Sequence, residues 1–498
     1  MDIITSEPLI VNGIQLQPLE PLDLGKYRTV SQVVQGMEQS SFGARCLGEV
    51  TSTLETMICE KKKPLLVYDG KREIPLGQAL QRMVEKGWFS KVILPEEYAA
   101  HEPLGGNVIV VGPFSERHED AIFTKPDRAL FINNQDKAKP GQIKDGYYPD
   151  AVFSHPDFVI PVIEAALQER VEGQETKVYE LLRRLETAGE HTHQAAHGAY
   201  ILNKMLHDPA CSVIMTISGA MTIAQLSLCI SDMVRIPNGV KAIASTGALM
   251  AHGLAQGLDL RHYKYDPRLT DEVLLAHGLN RVTDTLEPET NFDQIDDAMR
   301  HALKTFNGER PIASWEVNRA IGQFLHDHHP GSERAILRAA YDRGVAVYVP
   351  AFVDSELGND VNVHNREIEK SAGRPIIVNT ELDTLHLMDL VVNSEKIGIF
   401  TLGGGVPRNW PQNIAPYITL RNKRLGEDIP ERKFSYGTRI CPDAPKYGHL
   451  SGCTYREGGS WGKMDLEKGQ FAEVLFDATL IFPFYVKYVM DFNERKAV

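Results

Sequence analysis

Several things are scarce in this 498-residue chain. No segment approaches 18 consecutive apolar residues, so no membrane-spanning helix is expected. The start, MDIITSEPLIVNG, has neither a basic n-region nor an apolar stretch, so no signal peptide is expected. Six cysteines (Cys46, Cys59, Cys211, Cys229, Cys441 and Cys453) are scattered with no CxxC pair. In a chain this long they read as reduced thiols, which points to a cytoplasmic protein. Positive charge is also short: 53 Lys and Arg face 66 Asp and Glu, a formal net charge of −13. Binders of nucleic acid or anionic membrane need the opposite excess, so neither partner is expected. A cationic substrate is compatible with that balance.

What the chain does have is a 43% apolar content, ample for buried cores. With 40 Gly and 28 Pro it is neither collagen-like nor low-complexity. At roughly 150 residues per domain, its length suggests about two to four domains. The first 26 residues are Pro-rich and irregular. Residues 41–62 read as a helix on the spacing of Leu47, Val50, Leu54, Met57 and Ile58. PLLVYDG, KVILP, NVIVVGP, ALFINN and DAVF read as strands, and GQALQRMVEKG as a helix. The stretch 168–210 is helical and charged. CSVIMTISG, VKAIASTGA, VAVYVPAF and IGIFTLGGGV then follow as strand-plus-loop units. ATLIFPFYVKYVM closes the chain as an apolar strand or helix. Buried strands alternating with helices predict an α/β fold with a doubly wound, mostly parallel sheet over 186–498. An additional N-terminal α/β region takes 1–185. Loops at strand carboxyl ends are where ligands bind in such sheets.

The helix–strand–turn–helix–strand order of about 41–94 recurs at about 190–243. Met57 matches Met205, Gly70 and Ile74 match Gly219 and Ile223, and Met83-Val84 match Met233-Val234. Two similar βαβ units, or a partial duplication with a degenerate first copy, both account for this.

Four loops carry chemistry. Gly403, Gly404 and Gly405 end an apolar strand; they make either a tight turn or a loop bringing backbone N–H groups to a phosphate. The spacing is not GxGxxG. VYVPAFVDSELGND puts Asp354, Glu356 and Asp360 after a strand, as ribose or amine ligands or as a solvated loop. REGGSWGKMD sets Glu457, Trp461 and Lys463 together; a desolvated lysine beside an aromatic wall can form a Schiff base. IASTGALMAH offers Ser245, Thr246 and Gly247, and DATLIFP offers Asp477 and Ala478. Two histidine clusters, HTHQAAH and HDHHP, lack a Glu in the HExxH arrangement, and read as helix-end residues rather than metal ligands.

In order, SVIMTISGAMT, AIASTGA, IASWEVNRAIG, VYVPAFVDSELGND, IGIFTLGGGV and EGGSWGK followed by DATLIFP resemble the deoxyhypusine synthase family, which includes homospermidine synthases and bacterial deoxyhypusine synthase-like enzymes. The match covers most of 190–490, and SWGK before DATLIFP is its most specific piece. The resemblance implies an NAD-binding Rossmann variant, a homotetramer with active sites at a dimer interface, and redox-neutral aminobutyl transfer between polyamines through a lysine imine. It assigns the imine to Lys463 and the polyamine pocket to Glu457, Trp461, Asp360 and Asn409. NAD contacts fall to Asp354, Ser245, Thr246, Gly403, Gly404, Gly405, Asp477 and Ala478. There are departures. Asn409 stands for the family histidine and Leu450 for an acid. Asn359 stands for another acid in strict register, or Asp360 with a one-residue slip. His252 stands for a glutamate. These favour a variant pair of small amines, or a lost or altered activity. Another NAD-dependent amine enzyme, such as an ornithine cyclodeaminase-like one, and a non-catalytic homologue are the alternatives.

Overall fold

The computed structural model describes residues 8–61, 63–68, 74–100, 107–111, 128–132 and 156–497. Six apolar segments form one sheet: β1 Cys211–Ile217, β2 Ala242–Ser245, β3 Ala346–Tyr348, β4 Lys396–Leu402, β5 Phe434–Ile440 and β6 Gln470–Val474. Their order across the sheet is β3-β2-β1-β4-β5-β6. Every pairing is parallel. The chain starts in the middle, builds to one edge, then returns to fill the other. Between β1 and β4 the direction of winding reverses, and there the ladder runs unbroken from Cys211 opposite Lys396 to Ile217 opposite Leu402.

Parallel strands need helical crossovers, so both faces are covered and the strands read as continuous apolar runs. Side chains alternate accordingly. Val213, Met215 and Ile217 of β1 and Phe400 and Leu402 of β4 join one buried cluster, with the helices Glu190–His207 and Ala478–Ala497. Ile214, Ile397 and Ile399 join another, with Glu381–Val392 and Ile414–Leu425. The closing apolar run is therefore a helix, despite Pro483 within it. Leu480, Ile481, Phe482, Phe484, Tyr485 and Val486 are all at most 2% exposed. Each such side chain stabilises the fold by about 2 kcal/mol.

The N-terminal region holds a second parallel sheet, ordered Val92–Ile93, Leu65–Tyr68, Asn107–Val111, Arg128–Ile132. Its first strand lies inside, with the second on one side and the third on the other, as β2 and β4 flank β1. The helices Phe42–Cys59 and Ile74–Glu85 precede and follow that strand, as Glu190–His207 and Ser227–Arg235 precede and follow β1. Met57 and Met205, and Met83 and Met233, are buried in matching places. Gly70 and the DAVF segment lie outside the described residues. One apolar cluster runs from Leu22 and Leu47 through Phe158 to Val489, across the 185/186 boundary. The helix Val178–Leu185 docks on the last helix: Tyr179 stacks on Tyr488 at 5.0 Å, and Arg495 pairs with Glu180 at 2.6 Å.

Absent from the sequence reading were β5, β6 and a small antiparallel sheet of Tyr263–Lys264, Leu279–Val282 and Thr285–Pro288. The N-terminal segment, far from shapeless, binds that sheet through Lys264 N–H to Gln17 C=O at 2.8 Å. Among the described residues, no helix is long and apolar enough to cross a membrane.

Candidate active site

A cleft of about 430 Å³ opens at the carboxyl ends of five strands. Ser218 follows β1, Ser245 and Thr246 end β2, and Ala351 and Asp354 follow β3. Gly403, Gly404 and Gly405 follow β4, and Cys441 and Asp443 follow β5. The cleft lies across the point where the winding reverses, the ligand site of open α/β sheets. Six residues assigned to NAD by resemblance thus meet in one place.

The glycines are there for a steric reason. Gly403 and Gly405 have φ of +76° and +65°, the left-handed region. A Cβ on Gly404 would stand 2.5 Å from Ser451 Cα. Gly404 N–H donates to Ser218 Oγ at 2.8 Å, and Gly403 N–H to Ile440 C=O at 2.8 Å. The loop is thereby fixed against β1 and β5, and the helix Gly405–Gln412 begins at the cleft. Thr246 caps its own helix, Gly247–Gly257, by accepting from Leu249 N–H at 3.4 Å. Ser355 caps Glu356–Lys370 by accepting from Gly358 N–H at 3.1 Å. Asp354, just before that cap, is exposed at the cleft. Asp443 is bound by the Ser451 hydroxyl.

Lys463 follows the short helix Tyr455–Ser460 and is only 9% exposed. Its Nζ donates to Asn409 Oδ1 at 2.8 Å and lies 6.0 Å from the centre of the Trp461 ring. Burial, then the charge of Arg408, push its ammonium below the ordinary lysine range. Asn409 stands on the same helix as the cleft-lining Val406 and Pro407, so this helix links the lysine to the cleft. Trp461 is 69% exposed, and Glu457 is exposed beside it.

Other sequence candidates lie elsewhere. Asp360 is packed towards Asp296, Glu356 and Arg300; burial first, then those carboxylates, push it up to about 7. It does not line the cleft. Asp477 is buried, accepts from Thr479 N–H at 2.9 Å, and abuts Gly43 of the Phe42–Cys59 helix, which has no room for a Cβ there. Its neighbour Ala478 is 7% exposed in the core. Neither lines the cleft, because the turn after β6 folds back under the N-terminal helix. Leu450 is exposed next to Ser451. His252 does not line the cleft, and its Nδ1 lies 2.5 Å from Glu287 Oε2. Glu287 Oε1 lies 3.2 Å from His262 Nε2. Burial raises the Glu287 carboxyl, but the two imidazoles outweigh it and bring it to about 2. Burial likewise opposes charge on His252, yet Glu287 raises it overall. Of the histidine clusters, His193 stacks on His197 at 5.4 Å and His326 lies 2.8 Å from Asp342.

The sequence reading missed Ser218, Cys441, Asp443 and Ser451. Ser218, as the first residue beyond an apolar strand, carried a usable signal. The reading also missed Arg408 and Arg439. Both are buried, and their Nη1 atoms converge on Ser451 C=O at 3.4 and 2.7 Å.

The deoxyhypusine synthase family model matches residues 180–489. The "Probable deoxyhypusine synthase 2" of Archaeoglobus fulgidus is 30% identical over 296 residues, 59% of this chain and 92% of that relative. The "Deoxyhypusine synthase-like protein" of Elusimicrobium minutum is 30% identical over 290 residues, 57% of this chain and 74% of the relative. A second "Probable deoxyhypusine synthase 2", from Methanosarcina mazei, is 28% identical over 313 residues, 63% and 86%. A crystal structure assigned to an Entamoeba histolytica deoxyhypusine synthase overlaps at a TM-score of 0.41 and 14% identity. It covers 64% of this chain and 94% of that one, and the overlap is too loose to bear on the fold. A family match over more than half the chain, carried through a relative aligned along nearly its whole length, has one meaning: the chain belongs to the deoxyhypusine synthase family.

Proposed function

We propose that this protein is an NAD-dependent aminobutyl or aminoalkyl transferase acting on polyamines through an imine on Lys463. The observation that carries this is the amine itself. It is nearly buried, held by a neutral amide rather than a carboxylate, and pushed towards its uncharged form. A neutral lysine amine is a nucleophile.

The residues of the cleft fit NAD. The strand order is that of doubly wound dinucleotide-binding sheets. Gly403–Gly405 and the helix start behind them suit a pyrophosphate, Asp354 suits ribose hydroxyls, and Ser245 and Thr246 add polar contacts. Bound there, NAD supplies the acceptor and later the donor of one hydride. This chain's part is the covalent transfer. Once the donor carbon bearing nitrogen is oxidised to an imine, Lys463 Nζ adds to it and the departing amine leaves with a proton. The four-carbon fragment is then an imine on Lys463. An acceptor amine would add to that carbon and Lys463 would leave as the free amine, so that the fragment ends as an imine of the acceptor, which the bound cofactor's hydride chemistry would reduce to the secondary amine. Trp461 shields the imine from water and, with Glu457, receives the cationic chain.

The amine pair differs from that of the strict family enzyme. Asn409 and Leu450 carry no charge, and Asp360 is not among the residues that line the cleft. A shorter or less charged amine suits this pocket. Exposed Val353 (86%), Val406 (48%), Leu450 (47%) and Trp461 (69%) near the cleft and the lysine support a homo-oligomer in which a second copy covers this rim. Sedimentation tests that, and a monomer at micromolar concentration overturns it. For the chemistry, the protein is incubated with NAD and labelled putrescine, spermidine or agmatine, then treated with borohydride. Label on the Lys463 peptide is expected, and none with Lys463→Ala. Failure of every amine to label the wild type overturns the proposal.

A further inference from the structure

Two guanidinium groups lie buried against the same carbonyl. Arg408 is 4% and Arg439 0% exposed, and both donate to Ser451 C=O. Arg439 also donates to Cys453 C=O at 2.9 Å and to Glu473 Oε2 at 3.3 Å. Arg408 pairs with no carboxylate among the described residues. Its remaining contact is the Tyr455 ring, 5.3 Å from the guanidinium carbon, and its Nε has no partner. Buried cations are ordinarily matched by an anion. Here the one carboxylate, Glu473, is taken by Arg439, so the charge of Arg408 is left without a counter-ion among the described residues. It sits on the residue preceding Asn409, the group that holds Lys463.

We infer that Arg408 is a positioning residue for Lys463: its buried guanidinium, without a carboxylate of its own and one residue before the Asn409 that holds the lysine, disfavours a second cation at that amine. This rests on the reading of Lys463 as the nucleophile. Sequence offers the reason for the arrangement. Arg408 and Asn409 are adjacent on one helix, so the cation and the amide are delivered together, while Arg439 arrives from β5 and fixes the Ser451 loop beneath them. The charged or titratable groups around the amine are Arg408 and Cys453, with Arg439 and Glu473 behind them. The burial of the amine and the charge of Arg408 act in the same direction. A lysine next to another fixed cation is a recognised way of activating an amine.

The test reads Lys463 without substrate or cofactor. Full-length protein is reductively methylated with formaldehyde and cyanoborohydride across a pH series, and modification of the Lys463 peptide is followed by mass spectrometry. Arg408→Met should move the midpoint up by about one pH unit, so that labelling near neutral pH falls about tenfold. Arg408→Lys should stay near wild type. Glu473→Gln removes the carboxylate paired with Arg439, adding to the unmatched positive charge, and should move the midpoint the other way, which keeps the test decisive if Arg408→Met does not fold. Unchanged midpoints in the folded variants overturn the inference, as does an Arg408→Lys shift equal to that of Arg408→Met. Because no amine is transferred, the result stands or falls separately from the proposed reaction.

Discussion

Lys463 Nζ donates to Asn409 Oδ1 at 2.8 Å across 54 positions of sequence. The bond joins the Gly-rich loop region after β4 to the short helix before β6. It leaves the amine without a carboxylate partner, since an amide oxygen accepts the bond but brings no negative charge to favour the ammonium form strongly.

Asn409→Asp would place a carboxylate at that contact and favour the charged lysine. Borohydride trapping near neutral pH should fall about tenfold and recover at alkaline pH. A uniform loss at every pH would mean that Asn409 acts on geometry alone.

The His252–Glu287 pair makes stability depend on pH. Glu287 is brought from 4.5 to about 2, so its contribution is present above about 4.5 and is lost as pH falls towards 2. His252 is raised above 6.5, so its contribution is present below 6.5 and is lost as pH rises through the raised value. Stability from this pair should therefore peak between about 4.5 and 6.5. Within that window Glu287→Gln should cost about 3 kcal/mol in urea unfolding, leaving buried imidazoles without their anion. A variant that keeps the wild-type pH profile would show that the pair is not formed.

The glycine triplet should divide. Gly404→Ala forces Cβ onto Ser451 and should weaken NAD binding by at least about tenfold in calorimetry, since backbone has to move at the cleft. Gly405→Ala has open space and only its positive φ to oppose it, a strain of about 1–2 kcal/mol. Equal effects on NAD affinity would remove the steric account.

Asp477→Ala should lower stability by about 1 kcal/mol, the value of a helix cap, through loss of the bonds to Thr479. NAD affinity should change less than about twofold if the buried position of Asp477 excludes cofactor contact. A tenfold loss of affinity without loss of stability would restore it to the cofactor site.

The sequence made the strand ends legible because parallel strands buried on both faces write themselves as apolar runs. IGIFTLGGGV and CSVIMTISG carry the two central strands, and the loops behind them supply the cleft. β5, with FSYGTRI, and β6, with QFAEV, mix polar residues into their runs and were not read. Asp354 was found because it lies in the short loop between a strand, Ala346–Tyr348, and the next helix. Asp360 was not separable by pattern from its neighbour Asn359, and only its burial near Asp296 and Glu356 in the fold sets it away from the cleft. Asp477 shows the same limit, because what buries it is Gly43, more than 400 residues away. Arg408 and Arg439 gave no signal, since a buried arginine is spelled like an exposed one.

Trp461 has a further consequence, for spectroscopy. Of the four tryptophans, Trp88 is 2% exposed and Trp315 and Trp410 are half-buried, whereas Trp461 is 69% exposed and stands beside the Lys463 amine. Its emission should lie at the red edge of the protein's spectrum and be the first quenched by iodide. A molecule settling over Lys463, or a second copy closing on this rim, would blue-shift that component and shield it. The site thus carries its own fluorescent reporter, able to follow occupancy in real time without a label.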